Sequence, residues 1–86
     1  MEMQDWRKRI DELDAQLVAL YCQRMEISAQ IGAYKRERGL AVRDPEREKA
    51  LLDRLSVLAG ERHAAGVRAL YGEILAQSRA LQEETK

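Results

Sequence analysis

Arg24 stands where an apolar residue is due. Trp6, Ile10, Leu13, Leu17, Leu20, Ile27, Ile31 and Tyr34 recur at alternating steps of four and three, the pattern of one packed helix face, and Arg24 interrupts it between Leu20 and Ile27. A guanidinium on such a face needs a negative partner, because an unpaired buried charge is severely destabilising. Two sources are open. One is a carboxylate of the protein, with Glu48 and Asp14 as candidates; the other is a ligand. Lys35 follows eleven residues later, close to three helical turns, so it points the same way about 16 Å along the axis. Two long cationic side chains leaning across that gap can hold opposite ends of one small anion.

Other polar residues accompany this pair. Arg47 and Glu48 fall on the opening turn of a second helix, beside Asp44. Ser78 and Gln82 lie one turn apart on a third and continue the face of Ile74 and Leu75. Cations, a carboxylate, a hydroxyl and a neutral amide on inward faces suit a dianion with further hydroxyl or ether oxygens. Arg7 is about 25 Å from Arg24 along the helix, too far to share a small ligand within one chain. In an antiparallel pair of chains it could complete the partner's site. Plainer readings stand beside these: Lys35 as a helix C-terminal cation, Arg47 and Glu48 as helix-start residues, Ser78 and Gln82 as ordinary exposed or core-lining positions.

The elements that position these residues are helices. The 86 residues are 45% hydrophobic and 35% charged, with one proline and no phenylalanine, a balance that predicts an all-α single domain over 1–86. The first helix is expected over about 5–38 with Gly39 as its stop, the second over about 45–59 and the third over about 64–83. Asp44 is a suitable N-cap, and Pro45 fits the first helical turn. Leu51, Leu52, Leu55 and Leu58 form the expected packing face of the second helix; Val67, Leu70, Ile74, Leu75 and Leu81 form that of the third. His63 reads as part of the linker between them. A first helix roughly 50 Å long outruns a compact domain of this size, whose radius of gyration would be near 12 Å. A second copy laid along the stripe resolves the mismatch, so a homodimer is expected.

Lys plus Arg and Asp plus Glu number 15 each, and no basic face with interleaved aromatics is visible, which argues against nucleic acid as a partner. No apolar run reaches membrane-spanning length and the start lacks a signal-peptide core, so the expected setting is cytoplasmic. Cys22 allows no intrachain disulfide and no cysteine-rich zinc site; it reads as a small buried hydrophobe.

Several of these residues, in order, resemble the all-helical class of chorismate mutase. They are Arg7-x-x-Ile10-x-x-Leu13-Asp14, Arg24, Gly32-x-x-Lys35, Val42-Arg43-Asp44-Pro45-Glu46-Arg47-Glu48 with Leu51-Leu52, and Ser78-x-x-x-Gln82. The resemblance runs from Arg7 to Gln82, and the Val42-to-Glu48 segment is its most specific part. It implies an intertwined dimer of three-helix chains with two shared sites. It also implies the rearrangement of chorismate to prephenate on the route to phenylalanine and tyrosine, a concerted shift that uses no metal or cofactor. Carried over, Arg24 and the partner subunit's Arg7 would grip the substrate carboxylates, and Lys35 and Gln82 would donate to the ether oxygen. Glu48 and the backbone at Asp44 would hold the ring hydroxyl, with Arg47 and Ser78 completing the polar wall. Two rival readings remain: isochorismate pyruvate lyase, and a non-catalytic helical dimerisation or regulatory module that keeps an anion pocket.

Overall fold

The computed structural model describes residues 2–84, and these form three α-helices: α1 over Met3–Glu37, α2 over Pro45–Ala59 and α3 over Glu61–Glu84. Local chemistry sets most of the boundaries. At the end of α1, Gly39 takes φ +67°, and Leu40 N–H and Gly39 N–H return to the carbonyls of Lys35 and Arg36. A left-handed glycine of this kind satisfies the last orphan carbonyls and stops the helix. Asp44 caps α2 by accepting the Arg47 N–H at 3.1 Å, with Pro45 in the first turn.

The start of α3 departs from expectation. Gly60, at φ +84°, is the whole junction between α2 and α3, and its carbonyl accepts the His63 N–H. α3 therefore opens at Glu61 rather than 64, and His63 lies in its first turn instead of a linker. Gly60 serves as the stop of one helix and the lead-in of the next, which removes any loop.

α3 is the central element. It packs along α2 and against α1, while α1 and α2 make no close backbone contact with each other among the described residues. Two walls thus stand on a shared floor with a gap between them.

The packed face of α1 is not its apolar stripe. Within the chain α1 buries Met25, Ser28 and Gly32, a face roughly 90° around the helix from the stripe. Trp6, Ile10, Leu13, Leu17 and Leu20 are 51–59% exposed, and Ile27, Ile31 and Tyr34 are exposed as well. Cys22 is also exposed, against the expectation of burial, because it belongs to the stretch of α1, residues 3–23, that is exposed throughout. Leu58 (80% exposed) and Leu70 likewise fall outside the core expected for them. Leu58 lies in the last turn of α2, where α3 opens with Glu61, Arg62 and His63 and offers no apolar cover.

The buried apolar core among the described residues is Met25, Leu51 and Leu75. The chain measures 55 × 26 × 14 Å with a radius of gyration of 16.0 Å, well above the ~12 Å of a compact chain of this length. No helix is long and apolar enough to cross a membrane.

Candidate active site

The gap between α1 and α2, floored by α3, is a cavity of about 290 Å³. α1 contributes Arg24 and Lys35, and the start of α2 contributes Asp44, Arg47 and Glu48. α3 supplies Ser78 and Gln82. Seven of the eight candidate residues therefore meet in one cleft. Arg7 does not: it is exposed near the far end of α1 and does not line this cavity.

Arg24 is half-buried, and its guanidinium lies over the Tyr71 ring at 5.8 Å from the centroid. Among the described residues it has no ion pair. Neither protein carboxylate considered for it is engaged there, since Glu48 is bound to Arg79 at 2.6 Å and Asp14 is exposed well up the helix. An aromatic face satisfies a cation only weakly, so Arg24 still presents charge to the cleft. Lys35 donates from Nζ to the Val42 carbonyl at 3.1 Å, which holds its ammonium against the loop before α2.

Gln82 is 8% exposed. Its Nε2 donates to Ser28 Oγ at 2.8 Å and lies 3.4 Å from Ser78 Oγ, and the Ser28 and Ser78 hydroxyls are bonded to each other. The main-chain carbonyl of Gln82 accepts from Arg36 Nη1 at 3.0 Å, fixing the last turn of α3 to α1. This network depends on close helix contact at Gly32. A Cβ there would lie 2.8 Å from Gln82 Cα and 2.9 Å from Gln82 Cβ, closer than real Cβ contacts come. Backbone has to move to relieve that. Gly32→Ala is accordingly expected to destabilise the protein by about 1–3 kcal/mol and to shift Gln82. Thermal denaturation checks the stability, and an unchanged melting temperature would contradict the packing described.

Two cleft residues escaped the sequence reading. Ser28 sits one turn after Arg24 on the same face, and a small polar residue between Met25 and Gly32 on a buried face was the available signal. Nothing local in the sequence marks Arg79, whose partner Glu48 lies 31 residues away.

In charge, the cleft carries four cations, Arg24, Lys35, Arg47 and Arg79, against the carboxylates of Asp44 and Glu48. The surplus of two positive charges matches a dianion. Among the described residues no group of His, Cys, Asp and Glu side chains is placed to hold a metal ion.

Fold and cleft together define an all-helical chain with a net cationic site at the junction of three helices. The family model for chorismate mutase type II matches residues 6–83, and the chain belongs to that family. A chorismate mutase of Methanocaldococcus jannaschii is 30% identical over 81 residues, covering 91% of this chain and 81% of the relative. The T-protein of Haemophilus influenzae is 42% identical over 50 residues, or 58% of this chain. The bifunctional chorismate mutase/prephenate dehydratase of Escherichia coli K12 is 39% identical over 57 residues, or 66% of this chain. The matches span only 13% of the T-protein and 15% of the bifunctional protein. No solved structure matches significantly.

Proposed function

We propose that the chain converts chorismate to prephenate, serving phenylalanine and tyrosine synthesis, and does so as a homodimer with two shared sites. The observation that carries this reading is the convergence of Arg24, Lys35 and the fixed amide of Gln82 on one cleft with a dianion's worth of surplus charge. Family membership supports it, as does the M. jannaschii relative, itself named a chorismate mutase.

In this reading Arg24 takes one substrate carboxylate and the partner subunit's Arg7 the other. The uncovered stripe from Trp6 to Leu20 supports a second copy lying there, because an apolar surface of that extent is not normally left in water. Gln82, whose amide is held by the Ser28 hydroxyl at the edge of the cleft, donates to the ether oxygen together with Lys35. Glu48 and the Asp44 backbone receive the ring hydroxyl, while Arg47 and Ser78 close the polar wall. The rearrangement moves electrons around a ring without a nucleophile. Rate is gained by holding the compact reactive conformer and by stabilising charge that grows on the ether oxygen as its C–O bond lengthens.

The test is spectrophotometric loss of chorismate, with the product identified as prephenate by acid conversion to phenylpyruvate. Binding without loss of chorismate would leave a non-catalytic module, and pyruvate release from isochorismate would indicate a lyase instead. A second test concerns the proton on residue 82. An amide donates at any pH, whereas a carboxyl group donates only when protonated. Gln82→Glu is therefore expected to retain turnover at low pH and to lose it as the pH climbs through the glutamate pKa, ordinarily about 4.3. A pH–rate profile parallel to that of the wild type would remove Gln82 from the ether oxygen.

A further inference from the structure

Arg79 has no role in the mechanism above, yet its Nη1 lies 2.6 Å from Glu48 Oε1 within the cleft. The two side chains are 29% and 20% exposed, so the pair is largely withdrawn from water. We propose that Arg79 is a positioning residue for substrate binding: it neutralises Glu48 and anchors Oε1, so that the carboxylate can offer its other oxygen to a substrate hydroxyl without repelling a dianion. This rests on the assignment of Glu48 to the ring hydroxyl.

A carboxylate is a strong acceptor for a hydroxyl, because hydrogen bonds to an ionised group are stronger than neutral ones. Its negative charge is a liability in a site for a dianion, since like charges facing each other cost affinity. The cleft resolves the conflict with a dedicated counter-ion. Asp44, the other carboxylate, is already engaged as the cap of the Arg47 N–H. Arg24 is held over Tyr71, and Lys35 is bonded to the Val42 carbonyl. Arg79 is the cation paired with Glu48, and it reaches that partner from α3, the helix that also carries Ser78 and Gln82. Without it the surplus charge of the cleft falls from two to one, and the deficit is located at the hydroxyl end.

Five proteins decide the matter: wild type, Arg79→Met, Arg79→Lys, Glu48→Gln and the Arg79→Met/Glu48→Gln double variant. Each is assayed for chorismate turnover and titrated calorimetrically with prephenate, which has the two carboxylates and the ring hydroxyl but is not rearranged further. Arg79→Met is expected to raise KM and the prephenate Kd about tenfold or more, with kcat within about threefold of wild type. In the Glu48→Gln background, where no charge needs neutralising, adding Arg79→Met should change either constant by less than about threefold. Arg79→Lys keeps the charge and should restore most of the affinity. Equal losses in both backgrounds, no loss, equal losses for Lys and Met, or an effect confined to kcat would each overturn the proposal, because packing or direct substrate contact does not depend on the charge of Glu48. Should Arg79→Met fail to fold by circular dichroism, the cycle is run with Arg79→Lys and Arg79→Gln. A wild type that binds prephenate but leaves chorismate unchanged would defeat the catalytic reading alone, and the Kd cycle would still decide this one. A wild type that does neither overturns both.

Discussion

Lys35→Ala is expected to lower turnover by two to three decades, equivalent to about 3–4 kcal/mol of lost transition-state stabilisation. Its effect on stability should be small. The interaction lost in the folded chain is one hydrogen bond from Nζ to the Val42 carbonyl at 3.1 Å, and such a bond contributes about 0.5–1.5 kcal/mol net. The asymmetry is the diagnostic part. An ammonium kept only to secure the loop would show its loss in the melting temperature and leave kcat nearly intact. An ammonium aimed at a developing oxyanion does the reverse, since its interaction is stronger in the transition state than in the ground state. Steady-state kinetics and thermal denaturation of the same preparation separate the two, and near-wild-type kcat would remove Lys35 from the mechanism.

Mixing two inactive variants should restore activity. Arg24 lines the cleft and Arg7 does not, although both belong to α1. If each site takes Arg24 from one chain and Arg7 from the other, Arg7→Ala and Arg24→Ala homodimers both lack a cation at every site. A heterodimer of the two has one site with both arginines and one with neither. Random reassortment from an equal mixture makes half of the dimers mixed, so about a quarter of the wild-type sites reappear. The assay is turnover of the mixture after partial denaturation and refolding, compared with each variant treated alone. Absence of recovery would place Arg7 outside the site or the second chain elsewhere on the molecule.

The elements were largely legible in the sequence because their punctuation is local. Asp44 and Pro45 open α2 and Gly39 closes α1 through chemistry that depends on a few neighbouring residues. The opening of α3 was hidden because Gly60, a stop signal, also leads into the next helix, and no Ser, Thr or Asp announces the start. Periodicity located an apolar face on α1 but could not say what covers it. The face that meets α3 is built from Met25, Ser28 and Gly32, where closeness of approach matters more than hydrophobicity. Arg24 stood out because it breaks a pattern, and Lys35, Ser78 and Gln82 because they fall in phase with an inward face. Ser28 and Arg79 break none. Their meaning lies in partners 50 and 31 residues away, which only the fold brings within reach.

The core of Met25, Leu51 and Leu75 is too slight to make the single chain a convincing stopping point. In the proposed dimer, closing the stripe of α1 would complete the hydrophobic interior and the binding cleft in the same step. Folding and assembly then become one second-order event, with stability inseparable from chain concentration. A folded, half-equipped monomer would not accumulate as an intermediate product of synthesis. At scarcity the number of working sites would grow as the square of the number of chains, so halving expression would cost more than half the flux.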